Sequence, residues 1–241
     1  MIRNNANLVS IVTTYKNRRH HIEQTIHTWI QKDVNYAYEI IIVDYESDDD
    51  IGPFLSNLSS EIDIKHVRCN KCPIFNLSHA RNIGSNYSDS EWILYVDIDC
   101  KLKILSMTKI GEMITSSQHC YFGAVDSRVR KDIINGGLML VPRNCHMSIC
   151  GFNENMRGWG FEDIDYRQRL ESNGLTWELF PSELYECIDH DDSERIGYYD
   201  IKKELSWMKN RQISLETWSD DKFGLCDNMS ITEYNKRNKE L

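Results

Sequence analysis

Two carboxylates one residue apart stand at the end of an apolar run, in Val96-Asp97-Ile98-Asp99. If the chain turns there, both reach one small volume. One can then hold a divalent cation while the other accepts from a ribose hydroxyl, since a hard cation prefers oxygen ligands and Mn2+ tolerates an added imidazole. Asp is also common at strand ends and turns, so the pair alone decides little. Further polar and charged groups follow other apolar runs: Thr14, Tyr15 and Arg18 after the first, Asp44 and Ser47 after the second, with Arg81 on a short helix before Asp97. In an open α/β sheet, ligands bind beyond the carboxyl ends of the strands. Acids and an arginine converging on that edge suit a metal-bound diphosphate. Downstream, Gly158-Trp159-Gly160 reads as a flexible loop, and Glu162-Asp163 opens a helix. The helix dipole keeps Asp163 ionised, as a general base must be, and also favours any carboxylate at that place. Trp159 is placed to stack on a sugar face or to plug the core.

The elements that must position these residues follow from periodicity. Leu8–Thr13, Glu39–Val43, Ile62–Val67 and Trp92–Val96 read as buried strands. Between them lie helices, one with Ile22, Ile26, Trp29 and Ile30 on a face and one over Leu77–Ile83 stopped by Gly84. This alternation indicates a mostly parallel, Rossmann-like α/β sheet with helices on both faces. The later half reads as strands at Tyr121–Val125 and Gly137–Val141. Helices follow at Arg143–Ile149, at Glu162–Asn173 closed by Gly174, and at Tyr198–Met208. The expected division is a nucleotide-binding half over 1–100, an acceptor-binding and catalytic half over 101–215, and a polar arm over 216–241.

The chain has 241 residues, 41% of them hydrophobic and 27% charged, with a formal net charge of -9. That charge argues against nucleic acid as a partner, because a phosphate backbone needs clustered Lys and Arg. No run approaches the roughly 18 apolar residues of a spanning helix, and no signal peptide is visible. The expected setting is therefore cytoplasmic, with peripheral association at the inner face of a membrane still open. Of eight cysteines, Cys69 and Cys72 form a lone C-x-x-C without the second pair a structural zinc requires. Buried thiols are expected.

In order along the chain, several segments resemble inverting GT-A glycosyltransferases of the family 2 type. They are Ile42-Val43-Asp44, Phe75-Asn76 and Ala80-Arg81-Asn82-Ile83-Gly84. Gly136-Gly137, Gly151-Phe152 and Gly158-Trp159-Gly160-Phe161-Glu162-Asp163 resemble the C-terminal region of the β-1,4-galactosyltransferase family. Thr14-Tyr15-Lys16-Asn17-Arg18 resembles the P-F-R-N-R segment of that family, without its proline and with Lys16 where an arginine is usual. The resemblance implies a GT-A fold, a UDP-sugar donor (Gal or GalNAc), a glycan or glycoconjugate acceptor, and Mn2+ or Mg2+. It implies that Asp44 contacts uracil or ribose, Arg81 the nucleotide or diphosphate, and Asp97 the ribose. Thr14, Tyr15, Arg18, Phe75 and Gly137 would line the donor site. Asp99 and the late histidine His190 would bind the metal, Asp163 would be the base, and Trp159 and Glu162 would hold the acceptor or the donor sugar.

Three other readings compete. A haloacid dehalogenase phosphatase would continue its D-x-D with Gly-Thr or Gly-Val, where Cys100-Lys101 stands. A nucleotidyltransferase would carry a Gly-rich basic loop after its first strand. The third reading is an inactive GT-A domain that binds a sugar without transferring it.

Overall fold

The computed structural model describes residues 7–58, 61–70, 74–114, 119–123, 137–217 and 230–234. Cys72, Gly136, the end of the Tyr121–Val125 run and most of the C-terminal arm lie outside them.

In chain order the elements are β1 (Val9–Tyr15), α1 (Arg19–Trp29), β2 (Tyr38–Tyr45), α2 (Gly52–Leu58), β3 (Asp63–Asn70), α3 (Leu77–Asn86) and β4 (Trp92–Tyr95). Then come β5 (Cys100–Leu102), α4 (Ser106–Met113), β6 (His119–Phe122), β7 (Met139–Pro142), α5 (Arg143–Ser148) and α6 (Glu162–Ser172). The chain continues through β8 (Thr176–Leu179), a 3-10 turn at Ser182–Leu184, β9 (Tyr185–Cys187), α7 (Asp192–Ile196), α8 (Lys203–Glu216) and β10 (Ser230–Tyr234). Eight strands form one sheet in the order β10-β3-β2-β1-β4-β7-β6-β8, and β5 pairs with β9 in a small second sheet. β3, β2, β1 and β4 run parallel, β7 and β10 run against them, and β6 and β8 return to the common direction.

The central strands are buried on both faces, as a parallel sheet between two helix layers must be. Along β1 and β2, Val9, Ile11, Ile40 and Ile42 face one core with α1, while Val12, Ile41 and Val43 face the other with α3. The second core extends to Phe152, Tyr166 and Leu170, so α6 packs on the same side of the sheet as α3. The sheet thus runs through both expected halves of the chain.

Two helices depart from their expected bounds by three residues or more. Gly84 does not stop α3, which continues to Asn86. A Cβ at Gly84 would lie 2.3 Å from Val12 Cγ1, so the glycine lets the helix lie close on β1. The helix expected at Tyr198–Met208 begins instead at Lys203 and reaches Glu216. Within the expected polar arm, Ser230–Tyr234 forms an antiparallel edge strand on β3. No helix among the described residues is long and apolar enough to cross a membrane.

Candidate functional site

A cleft of about 280 Å³ opens beyond the carboxyl ends of β1 and β4, with the start of α6 on its far wall. Thr14, Arg18, Phe75, Arg81, Asp97, Asp99, Gly137, Trp159, Glu162 and Asp163 all line it. Residues 14 to 163 of the sequence are therefore gathered by strand ends and one helix N-terminus.

Arg81 is the joint of this cleft. It sits on α3 with 3% of its surface exposed. Its Nη2 is 3.2 Å from Asp97 Oδ1, at the end of β4, and its Nη1 is 3.5 Å from Glu162 Oε1, at the start of α6. The guanidinium also lies over the Phe152 ring, 5.2 Å from its centroid. A buried cation needs such partners, since an unpaired one would carry a large desolvation cost. Asp97 can approach Arg81 because Gly137 has no side chain: a Cβ there would lie 1.9 Å from Asp97 Oδ2.

The two acids facing Arg81 are not fully neutralised by it. Burial, and then the charge of Asp163, push the Glu162 carboxyl up to about 7 despite Arg81. Its second oxygen, Oε2, is buried without a hydrogen-bond partner. Burial also raises Asp97, with Arg81 acting against it and Asp99 reinforcing it.

Asp99 faces a different set of groups. His190 Nε2 contacts its Oδ2, and Arg18 Nη2 is 3.6 Å away. The pairing follows from the small sheet: β5 starts one residue after Asp99, β9 ends three residues before His190, and Ile188 N donates to Asp99 O at 2.8 Å. His21 lies edge-on to His190, with ring centroids 5.3 Å apart. Burial, then the charges of Arg18 and His20, push His21 down to about 4. His20, His21 and Glu194 bring their ligand atoms within 4.8 Å of one another. These three were not anticipated from the sequence. His20-His21 looks like an ordinary helix start, and Glu194 is brought to it only by α7.

The Gly158–Phe161 loop is set by its backbone. Gly158, Gly160 and Phe161 have φ of 76°, 90° and 76°, a region that suits glycine and strains other residues. The loop is fastened to α8: Ser206 Oγ accepts from Trp159 N at 3.1 Å, and Asn210 Nδ2 donates to Gly160 O at 2.7 Å. Lys203 Nζ sits 4.3 Å from the centre of the Trp159 ring. The loop read as flexible is therefore tied to a helix, and α8 is a site element that the sequence reading left out. Asp163 is half-buried at the first turn of α6, and its Oδ1 accepts from Ile164 N at 2.8 Å.

Two expected donor residues lie behind the cleft wall. Tyr15 is buried and its hydroxyl bonds Asp49. Asp44 is fully buried; its carboxylate accepts from Ser47 N at 2.9 Å and from Arg68 Nη1 at 2.7 Å, with His66 Nε2 at 3.3 Å. Burial raises the Asp44 carboxyl, but the bonds from His66 and Ser47 and the charge of Arg68 outweigh it and hold the group low. Two further buried histidines bond to tyrosines away from the cleft lining. His79 meets the Tyr45 hydroxyl, and buried His146 lies between Tyr95 and Tyr166.

Residues 8–121 match the model of the "Glycosyltransferase like family 2", and residues 117–191 that described as "N-terminal domain of galactosyltransferase". The chain thus has the GT-A fold, and its residues 8–191 match glycosyltransferase family models. It is 30% identical over 183 residues to a hyaluronan synthase of Pasteurella multocida, covering 71% of this chain and 19% of that protein. Its fold is similar to that of GalNAc-T7 crystallised with UDP, GalNAc and Mn2+ (TM-score 0.68, 16% identity, 91% of this chain and 49% of the other). It is also similar to the catalytic domain of Drosophila β1,4-galactosyltransferase 7 in complex with xylobiose (TM-score 0.58, 14% identity, 86% and 80%). The domain thus spans about a fifth of the synthase and about half of GalNAc-T7.

Proposed function

We propose that the domain transfers a sugar, Gal or GalNAc, from a UDP-sugar to a hydroxyl of a glycan or glycoconjugate, with inversion and with a divalent metal. The observation that carries this reading is one cleft lined by Asp99, Arg81, Glu162 and Asp163, with His190 Nε2 held against Asp99. The proposed division of labour follows the expected one, with residues 1–100 holding the nucleotide and 101–215 the acceptor.

The donor set of Asp99 and His190 fits Mn2+ better than Mg2+, because it mixes a carboxylate with an imidazole. His21, held neutral by its burial and by Arg18, has the protonation state a ligand needs and lies beside His190. When bound, the metal supplies positive charge for the diphosphate leaving group. Arg18, beside Asp99 and with its side chain 15% exposed, supplies a second positive charge at the same place. Arg81, engaged with Asp97 and Glu162, holds the ribose-facing acid and the acceptor-facing acid in one frame. Asp163 takes the acceptor proton as its oxygen attacks the anomeric carbon from the face opposite the diphosphate. Trp159 presents its ring to the cleft for a sugar face, and the loop fastened to α8 excludes water from the donor.

Asp163→Asn tests the reading. It should retain UDP binding and lower transfer by roughly 10²–10⁴-fold, the usual contribution of a positioned base. Donor turnover measured on the purified domain, with the anomeric configuration of the product read by NMR, checks both claims. Unchanged turnover in this variant would remove Asp163 from the reaction, and a retained configuration would remove inversion.

A further inference from the structure

The small sheet that carries the proposed metal pair also carries two thiols. Cys100 on β5 and Cys187 on β9 are directly opposed in the antiparallel register, and both are reduced. The hydrogen bonds flanking them run from Ile188 N to Asp99 O (2.8 Å) and from Lys103 N to Leu184 O (2.9 Å). Those bonds belong to the pairs Asp99–Ile188 and Lys103–Leu184. Alternation along the ladder then makes Cys100–Cys187 a non-hydrogen-bonded pair. In such a pair the Cα atoms stand about 4.5 Å apart with side chains on the same face. That spacing falls inside the roughly 4.4–6.8 Å range that a disulfide spans. Among the described cysteines no other two face each other across a strand pair. Cys100 is buried and Cys187 is exposed beside the cleft.

We infer that Cys100 and Cys187 form a reversible cross-strand disulfide at the base of the cleft, made by exchange with a small-molecule disulfide. The exposed Cys187 thiolate attacks one sulfur of that disulfide, forming a mixed disulfide and expelling one thiolate. Cys100 then attacks the Cys187 sulfur, its proton passing to the second departing thiolate. Two protein thiols lose two electrons and two protons, and the small disulfide gains them to become two thiols. The new bond joins the strand after Asp99 to the strand before His190, so it staples together the residues proposed to hold the metal. That last consequence rests on the proposed function; the bond itself does not.

The test treats the full chain with oxidised glutathione, denatures and alkylates it, and reads intact and peptide masses. The expected product lacks two hydrogens, yields a peptide linking Cys100 to Cys187, and carries the alkyl group on the other six of its eight cysteines. Its thermal midpoint should rise by roughly 5–10 °C over the reduced form, from the constraint on the unfolded chain. Cys100→Ser should stop at one glutathione on Cys187, and Cys187→Ser, an exposed change that spares the core, should give no link. A wild type that accumulates glutathione on Cys187 while Cys100 is still alkylated overturns the inference. So does a Cys187 that never reacts, or a link between other cysteines. None of these readouts needs nucleotide, metal or turnover, so they stand apart from the test of the transfer reaction.

Discussion

At the scale of single residues, Glu162 is the group whose state changes near neutral pH. Its folded pKa of about 7 lies above the ordinary 4.5, through burial first and the neighbouring Asp163 second. A raised acid favours the protonated folded form. Its contribution to stability is therefore complete below pH 4.5 and is lost as pH rises through 7. Glu162→Gln mimics the protonated form at every pH. It should leave stability near wild type at pH 4.5 and raise it at pH 8, by at most about 3 kcal/mol from the size of the shift. Thermal unfolding at the two pH values checks this. A variant less stable than wild type at pH 8 would show that the ion pair with Arg81 outweighs the burial of charge. The D-x-D pair and the Glu-Asp pair were legible in the sequence because each sits where an apolar run meets a turn or a helix begins. Tyr15 and Asp44 occupy equally suggestive strand ends, yet the structure turns them onto Asp49 and Arg68. Strand-end position says where a side chain starts, and only its neighbours decide where it points.

At the scale of elements, close packing and fastening position the cleft. Gly84 brings α3, and with it Arg81, down onto β1. Gly84→Ala would gain about 1 kcal/mol of helix propensity. It would also set a methyl 2.3 Å from Val12 Cγ1 and 3.2 Å from Val43 Cγ2. Overpacking of this kind costs roughly 1–3 kcal/mol, so the net change should destabilise. Adding Val12→Ala should restore part of the loss, a coupling that denaturant unfolding of the single and double variants measures. Reading Gly84 as a helix stop weighed its flexibility and missed its absence of volume, which only the sheet beneath reveals. The loop before α6 poses the complementary case. Asn210, buried on α8, donates to Gly160 O at 2.7 Å and accepts from Arg157 N at 3.0 Å. Asn210→Ala leaves both backbone groups unpaired and should cost about 1–3 kcal/mol. Because the same loop carries Trp159, donor or acceptor affinity should fall in a binding titration as well. A variant that loses stability and keeps affinity would assign Asn210 to folding alone. The weak amphipathic pattern of α8, whose buried face is Ser206, Asn210 and Ser214, explains why the sequence did not mark this helix as part of the site.

At the scale of the molecule, the parallel strands and their helices were legible because their apolar runs are long and bounded by polar turns. The second half was read less well: β5, β8, β9 and α7 are only three to five residues each, too short to leave a period in the sequence. These short elements nevertheless bring His190 from position 190 to Asp99 and Glu194 to His20. If Asp99 and His190 hold a cation that in turn holds UDP, metal, nucleotide and fold form one linked equilibrium. Anything that binds the folded chain alone adds RT ln(1 + [L]/Kd) to its stability, about 2.7 kcal/mol at a hundredfold excess over Kd. UDP with Mn2+ should therefore raise the unfolding midpoint well beyond either alone, and EDTA should abolish the gain. Asp99→Ala and His190→Ala should each fold and each lose the joint shift. The double variant should lose no more than either single one, because both remove the same site. Equal UDP stabilisation with and without metal would instead assign the nucleotide to the protein's own cations. Arg18 is then the residue to replace, since it is the guanidinium beside Asp99 and keeps part of its side chain open to the cleft.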